Sequence, residues 1–590
     1  MVNGIDSPLK VGLLVSSLSA SPENIKLARW AAAHPRLDAS IILIALDPPP
    51  SDSSRSFRHR LTQRLLSLWK QDHKALAMHV AIQMKEAIYN WQVKGPDSSS
   101  KSDSESADCE SSLDEILPIV HIFEPVVSPS GFVHRLTDDD LTSLIDSEYD
   151  ILVRLGNGIL RGGILTASKH GILSFHHGDN RVNRGGPWGF WEVLEQADST
   201  GFVLQRLTNE LDGGEVLIRR NYTTARTVLR NRANLIRRSY PLLREVLLDL
   251  AETNELPTPE PPFPYTGRLY RTPTVKESLR FAIPNLRGIL KSITYRLLVR
   301  SHQEWHVGVL NHHWMITSFR NSRLVPKWHV GVLNHHWMSA SFRNSRLVPT
   351  HPGTWVADPF IVSWAGQRCL FVEEFVEAEG KGHISVCSLD ESGSPSLPIK
   401  IISEEFHLSF PWTFTFNGVL YMTPESANAR EIRLYRCVDF PYAWEFVGPV
   451  MTEVSAVDPM IFEHEDKWYM LVNIDPLNAG DLNSELHVFI ADDPVEGDWE
   501  PILGSPSVVD PRQARNGGLV RDRDRLFRIG QRQVYSQYGR ACGVYEVVRI
   551  GIDGYSEKLV FPLEAEWEEG LRGMHHLSSD GGITAFDFLI

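Results

Sequence analysis

Four stretches in the second half of the chain repeat one pattern and limit what it can fold into. They are "WVADPFIVSWAGQRCLFVEEF", "HLSFPWTFTFNGVLYMTPES", "SAVDPMIFEHEDKWYMLVNI" and "ARNGGLVRDRDRLFRIGQRQ". Each opens on small or polar residues, runs into a strand, turns at Gly or Asp and returns as an aromatic-rich strand. An outer strand follows each one: "HISVCSL", "EIRLYRCV", "ELHVFIAD" and "GVYEVVRI". Asp358, Pro411, Asp458 and Asn516 mark a period of about fifty residues, the length of a four-stranded propeller blade. A fifth blade is expected from "HHLSSDGGITAFDF" at the C-terminus joined to "WHVGVL" ahead of the first unit, a closure that removes the exposed sheet edges. The expectation for residues 303–590 is a five-bladed all-β propeller.

The first half has a different period. "KVGLLVSSLSA" and "ASIILIALD" are apolar runs flanking a helix-like segment from Asn24 to Ala33. This is the signature of a parallel sheet buried on both faces. Helical periodicity runs from about Leu61 to Gln92. The strands "ILPIVHIFE", "YDILVRLG", "GILSFHH" and "TGFVLQRL" then continue the α/β pattern. Residues 95–115, rich in Ser, Asp and Glu, have too little apolar surface to bury and read as a disordered insertion. A doubly wound, Rossmann-like α/β domain over 1–252 is expected.

Residues 253–302 read as a linker. The segment from Pro257 to Thr274 is proline-rich, and Thr274 with Glu277 forms a T-x-x-E capping box. Leu279, Ile283, Leu286, Leu290, Ile293 and Leu297 then form one apolar helix face, kinked at Pro284. From Arg219 to Arg300 there are 16 Lys/Arg against 6 Asp/Glu. That surface fits a helix docked between domains or a peripheral contact with a membrane-borne acceptor. Over 305–350 a 23-residue unit occurs twice in tandem, matching at 20 of 23 positions. Only one copy is expected to fit the fold.

A net charge of −14 argues against a nucleic-acid partner. Five cysteines without CxxC spacing indicate free thiols in a reducing compartment rather than a disulfide frame or zinc site. There is no apolar run of transmembrane length and no signal-peptide core at the N-terminus. The expectation is a cytoplasmic protein without a transmembrane segment.

The stretch "YDILVRLGNGILRGGILTASKHGILSFHHGDNRVNRGG…TGFVLQRLTNELDGGEVL", with a weaker match at "KVGLLVSS", resembles the core of the formyltransferase family. That family carries N-x-H at a strand end, a loop ending in Arg-Gly, and then L-D-x-G. The resemblance implies 10-formyltetrahydrofolate as donor, His176 and Asp212 as the proton-handling pair, and Arg184 in the following loop. An amine attacking a formyl carbon creates an oxyanion that needs donors, and a histidine held by a carboxylate supplies one. The family's asparagine is Ser174 here, and a hydroxyl donates only one hydrogen bond. Losing an oxyanion donor costs about 10²–10³ in rate. His177, Asp179 and Asn180 add polar groups around His176 and are taken with Arg184 as substrate-binding candidates. A metal site there is not expected, because His176 and His177 project to opposite faces of a strand.

In the second half, "ADPFIV", "FHLSFPWTFTFNGVLYMTPES", "EIRLYRCVDFP", "AVDPMIFEHEDKWYML" and "ARNGGLV…LFRIGQRQ" resemble the propeller domain of glucosamine inositolphosphorylceramide transferases. They are more distantly similar to five-bladed propeller glycosidases. The resemblance implies acidic residues facing a central funnel: Asp358 and Asp458, each before a proline, with Glu373, Glu374 or Glu425 as a third carboxylate. Trp412 and Arg515 are placed to stack on or grip a sugar. The substrate-binding set carried forward is Asp358, Glu374, Glu425, Asp458 and Arg515.

The combined expectation is a formyltransferase-like transferase acting on a sugar-containing small molecule or glycolipid, with the propeller holding the carbohydrate. The alternatives are a propeller glycosidase with an inactive first domain, and a non-catalytic glycan-binding protein.

Overall fold

The computed structural model describes residues 7–45, 73–94, 112–129, 131–156, 158–210, 213–281, 305–310, 345–391, 393–535, 537–566, 569–580 and 583–590. They divide into two compact units. The first is drawn from Met1–Gln196, Thr200–Arg220 and Thr224–Val299, the second from Ala197–Ser199, Asn221–Thr223 and Arg300–Ile590.

The first unit is built on strands β1 (Leu9–Val15), β2 (Leu37–Ile44), β3 (Ile119–Phe123), β4 (Ile151–Arg154), β5 (Ile172–His176), β6 (Ser199–Arg206) and β7 (Glu215–Thr223). They form one sheet in the order β7-β6-β5-β4-β1-β2-β3. Strands β3, β2, β1, β4 and β5 are parallel, and β6 runs antiparallel to β5. Alternate residues of β1 serve opposite faces, as the pleat requires. Val11, Leu13 and Val15 pack with Ile25, Leu27 and Ala28 of helix α1 (Pro22–Ala33) and with Leu243, Val246, Leu247 and Leu250 of a long C-terminal helix, Val228–Thr253. Leu14 packs on the other face with Ile42, Leu152 and Ile172. Gly12 faces that side as well, where a Cβ would lie 2.6 Å from Leu152 Cδ2 and 2.8 Å from Ile42 Cδ1. The parallel pairing and two covered faces give the first half its α/β character.

Three segments depart from the sequence reading. Of the 95–115 insertion, residues 95–111 lie outside the described residues, but Leu113–Glu115 form a helical turn with Leu113 buried in the core. The proline-rich stretch after residue 253 docks on the first unit instead of standing apart. Leu269 and Tyr270 pair with Arg184 and Gly185, and Glu260 accepts from Arg181 and Arg219. Gly185 has φ of 100° and permits the approach, since a Cβ there would meet the Tyr270 carbonyl at 2.2 Å. The capping box forms reciprocally between Thr274 and Glu277. Most of the amphipathic helix it opens, including Pro284, lies outside the described residues.

The second unit is all-β. Among the described residues it contains five sheets whose main path has four strands each. The innermost strands are β8 (Thr354–Trp364), β9 (Ser409–Phe416), β10 (Ala456–His464), β11 (Asn516–Asp522) and β12 (Leu577–Asp580). Each touches the next, and β12 touches β8, so the five form a cycle. The last sheet is completed from far away in the chain. Ile583–Leu589 pairs antiparallel with Trp305–Leu310, in register from Trp305↔Leu589 to Leu310↔Thr584. Arg346 and Leu347 then pair with Val309 and Gly308. This sheet therefore takes its third strand from the first copy of the 23-residue unit and its outermost strand from the end of the second copy. Residues 311–344 lie outside the described residues.

Trp328–Leu333 repeats the sequence of Trp305–Leu310 residue for residue. A chain lacking residues 305–327 can therefore supply the same third strand across a shorter connection, whose closure entropy changes only slowly with length. Such a deletion is expected to unfold cooperatively within a few degrees of the full chain, as measured by circular dichroism on heating.

Candidate functional site

The innermost strands share a local distortion that aims side chains at the ring axis. Register shifts occur between Ala357 and Phe360, Ser409 and Trp412, Val457 and Met460, and Asn516 and Leu519. At each shift one residue has left-handed backbone: Asp358 (φ 48°), Phe410 (φ 49°), Asp458 (φ 52°) and Gly518 (φ 130°). In the first three the next residue is a proline, which has no N–H to lose from the ladder. A bulge of this kind re-aims the side chain it carries. The paired Asp-Pro motifs in the sequence are these bulges.

Asp458 and Arg515 form the centre of the cluster. Arg515 donates from Nε to Asp458 Oδ2 at 2.7 Å, from Nη1 to Asn483 Oδ1 at 3.1 Å and from Nη2 to Glu425 Oε2 at 3.4 Å. Its guanidinium lies 4.8 Å from the ring centre of Tyr538, a residue that is 41% exposed. The backbone around Arg515 is fixed on both sides. Arg528, fully buried and paired with Glu557 at 2.6 Å, donates to the carbonyls of Gln513 and Ala514. The Asn516 carboxamide donates to the Asp458 carbonyl at 2.9 Å, and the Asn516 backbone N–H donates to Asn473 Oδ1 at 2.8 Å.

Asp358 lies beside the ring closure. Its Oδ2 accepts the Phe410 amide at 3.2 Å, and its own amide donates to Asp587 Oδ2 at 3.3 Å. Asp587 Oδ1 accepts the amides of His575 and His576 at 3.0 and 2.9 Å, and His575 Nδ1 lies 2.5 Å from Asp587 Oδ2. Trp305 stacks on the His575 ring with centroids 4.0 Å apart.

Burial dominates the electrostatics. It pushes the Asp358 carboxyl up to about 7, with His575 opposing and the Asp587 charge adding to it. It pushes Asp458 to about 7 against the pull of Arg515. Burial also raises Glu425, and it raises Glu373 well above the ordinary range, where the neighbouring Asp358 and Glu425 charges add to it. His575 is the reverse case: burial works against its charge, but Asp587 outweighs it and the imidazole is raised.

Glu374, taken from the sequence as the funnel carboxylate, faces away from this cluster. Its oxygens accept from His351 at 2.8 Å, Ser385 at 2.8 Å and His383 at 3.2 Å. Burial alone would raise it, and those hydrogen bonds hold it at about 2. Its neighbour Glu373 lies on the axial side instead. Trp412 donates its indole N–H to the Ile461 carbonyl at 2.7 Å and packs edge-on against Phe360 within the sheet layer. The aromatic ring beside Arg515 is that of Tyr538, which no motif had marked.

In the first unit, Ser174 and His176 lie on β5, both buried. Arg154 donates to the Ser174 hydroxyl at 3.2 Å. His176 Nε2 contacts the Asn183 carbonyl at 3.0 Å, and the Asn183 carboxamide donates to Glu192 at 2.9 Å. Glu192 is a buried carboxyl that sequence reading missed, and burial raises its pKa. Asp212, the implied partner of His176, lies outside the described residues. His177 packs at a tilt against Trp188 and contacts Ser239, and burial lowers it to about 4. Asp179 and Asn180 both hold Arg219, while Arg184 pairs with Glu210 at 2.7 Å and donates to the Asn180 carbonyl. A cavity of about 230 Å³ opens beside Asn180, Arg184 and Arg219.

Among the described residues, Asp358, His575 and Asp587 each offer a metal-ligand atom, all within 4.8 Å of one another. As they stand, the three satisfy one another through the Asp587 contacts. Among the described residues no helix is long and apolar enough to cross a membrane.

Comparisons with known proteins bear on the second unit. Residues 341–575 match the family model "Glucosamine inositolphosphorylceramide transferase 1, N-terminal". Over 220 residues the chain is 33% identical to glucosamine inositolphosphorylceramide transferase 1 of Arabidopsis thaliana, covering 36% of this chain and 28% of that protein. The protein of the same name from Oryza sativa subsp. japonica is 27% identical over 254 residues, covering 40% of this chain and 33% of that protein. The chain thus spans a third or less of the length of these relatives. An α-L-arabinofuranosidase from Lactobacillus brevis aligns with a TM-score of 0.30 at 16% identity, over 38% of this chain and 80% of its own.

The raised carboxyls make stability depend on pH. An acid whose folded pKa lies above its unfolded value stabilises the fold at low pH and loses that contribution as pH rises through the folded value. For Asp358 the window runs from its unfolded value of 3.8 up to about 7. The Asp358→Asn variant has no such carboxyl to ionise. It is expected to lose less stability than the parent between about pH 5 and pH 8, read as the change in urea midpoint for each protein.

Proposed function

We propose that the second unit is a five-bladed propeller that binds a carbohydrate at its axis, in the service of sugar transfer during glycolipid assembly. One observation carries this reading. Arg515 is held in a fixed orientation by Asp458, Glu425 and Asn483, next to the ring of Tyr538. Carboxylates and a rigid guanidinium fork suit sugar hydroxyls, and an aromatic face suits the apolar side of a pyranose. The names of the relatives matched over this region support the glycolipid context. Hydrolysis is the rival at the same site, favoured by Asp358 and Asp458, whose carboxyls at about 7 fit a general acid.

A ligand bound only by the folded state raises its melting temperature. Hexoses and an inositol-phosphate-linked sugar are expected to raise that of the full chain by a few degrees. Tyr538→Ala should weaken this about tenfold, because the stacking face is lost, and His176→Ala should leave it unchanged. No shift with any sugar defeats the reading, and release of free sugar from an aryl glycoside, abolished in Asp358→Asn, selects hydrolysis.

The first unit supports formyl transfer as a second reading. His176 ends a parallel strand, the position where open α/β sheets bind ligands, and Glu192 lies across Asn183 from it. The donor, 10-formyltetrahydrofolate, would supply the one-carbon group. The residues present fit it in part: His176 can hold or give a proton, with its Nε2 engaged by the Asn183 carbonyl. On this reading a folate stabilises the parent against heat and leaves His176→Ala unmoved, and an equal response from both proteins rejects it.

A further inference from the structure

The cavity of about 230 Å³ in the first unit is enclosed by three pieces of chain. The loop after β5 brings Asn180 and Arg184, and the connection from β6 to β7 brings Glu210, Gly213 and Gly214. The proline-rich stretch brings Glu260 and Phe263. That stretch lies outside the run that resembles the formyltransferases, and the Glu260 amide anchors it by donating to the Val216 carbonyl at 2.8 Å. Three guanidinium groups gather around the space, and their partners are unequal. Arg219, with a side chain 9% exposed, is held by Asp179, Asn180 Oδ1 and Glu260. Arg181 reaches the same Glu260 at 2.7 Å. Arg184 donates from Nε to the Asn180 carbonyl at 3.0 Å, and its guanidinium lies 4.8 Å from the ring centre of Tyr265. Its one carboxylate partner among the described residues is Glu210, at 2.7 Å. The Glu210 side chain is 63% exposed, against 10% for Arg184. Glu215, on the same connection, pairs with Arg206 instead.

Arg181, Arg184 and Arg219 thus share Asp179 and Glu260, and the remaining positive charge is met only from the solvent side. An ion pair whose carboxylate stands mostly in water contributes little and exchanges readily. The guanidinium in that pair is different: it is withdrawn from water and already oriented by a carbonyl and a ring, so it loses little freedom when an oxyanion binds to its fork. Tyr265 is fixed in turn, its hydroxyl donating to the Arg268 carbonyl. We infer that this cavity is a binding site for the oxyanion of a ligand, a phosphate or a carboxylate group, which Arg184 receives in exchange for Glu210. Arg184 stays where Asn180 and Tyr265 hold it, and the Glu210 side chain turns out into water. Glu210 competes with the ligand, so it sets how tightly the site binds. The site lies wholly within the first unit and does not depend on the carbohydrate reading of the second.

The test follows the melting temperature of the full chain as sodium phosphate or sodium acetate is added at about pH 7.5, with sodium chloride holding the ionic strength constant. An apparent Kd is fitted to each series. At least one of the two oxyanions is expected to raise the melting temperature where chloride does not. A response to phosphate alone assigns the site to a phosphorylated ligand, and a response to acetate alone assigns it to a carboxylate. Glu210→Gln alters an exposed side chain and removes the competitor, so it is expected to lower the Kd at least threefold. Arg184→Gln is expected to raise it at least tenfold. If Arg184→Gln melts too early to titrate, Glu210→Gln decides alone. Absence of any response beyond chloride overturns the inference. So does a response that Glu210→Gln leaves unchanged, because the anion then binds elsewhere on the chain.

Discussion

The second unit depends on the carboxylate of Asp587. It accepts three backbone amides, two from the start of the last inner strand and one from Asp358 in the first, and it holds the His575 imidazole as well. These groups come from opposite ends of the ring, with Asp358 and Asp587 229 residues apart in the chain. A ring of sheets must join its last member to its first, and here a buried anion makes that joint together with the Ile361 amide, which donates to Ser578 Oγ at 3.1 Å. Burial opposes its charge, yet the imidazole and amide donors keep it below the ordinary carboxylate range. Once the joint is made, Trp305 stacks over His575, and the strand that Trp305 begins completes the last sheet. Closure and the geometry around Asp358 are therefore one event.

The same joint explains how the site is held. Inner-strand bulges turn Asp358 and Asp458 toward the axis, but a bulge alone leaves a side chain free to choose among rotamers. The choice is removed by what lies behind. Phe410 gives its amide to Asp358, Asn516 holds the Asp458 carbonyl, and Arg528 pins the two carbonyls before Arg515. Arg528 is itself buried with Glu557, an ion pair well away from the axial carboxylates. Such support fixes a functional group more firmly than direct packing does, because each hydrogen bond specifies an angle as well as a distance.

Much of this was legible in the sequence, within limits set by physics. The recurrence marked by Asp358, Pro411, Asp458 and Asn516 corresponds to four sheets, and the Asp-Pro pairs to bulges, because local pattern and local backbone geometry are linked. Parity was harder. Glu373 and Glu374 are neighbours with equal chemical claims, and only the strand register decides that Glu373 faces the axis while Glu374 joins His351, His383 and Ser385. Contacts such as His575 with Asp587, or Tyr538 with Arg515, arise only after the ring closes, so nothing in their own neighbourhoods announces them. In the first unit the family pattern led to His176 but not to Glu192, which reaches it through Asn183 and belongs to no motif. The proline-rich stretch read as a linker because composition reports flexibility and not the pairing of Leu269 and Tyr270 with Arg184 and Gly185.

The ring closes beside one buried anion, Asp587, and four more carboxyls, Asp358, Glu373, Glu425 and Asp458, stand around its axis. The other four do not improve stability at neutral pH, since each must either be ionised against burial and like charge or carry a proton. Apolar residues of similar size would pack the same space at lower cost. Asp358 lies at the Asp587 joint, while Asp458 and Glu425 hold the Arg515 guanidinium beside the ring of Tyr538. Buried carboxyls with raised pKa values, held by specific hydrogen bonds, are an arrangement that functional sites concentrate. The left-handed backbone at the bulges is not confined to the aspartates, since Phe410, which packs in the apolar core, shares it.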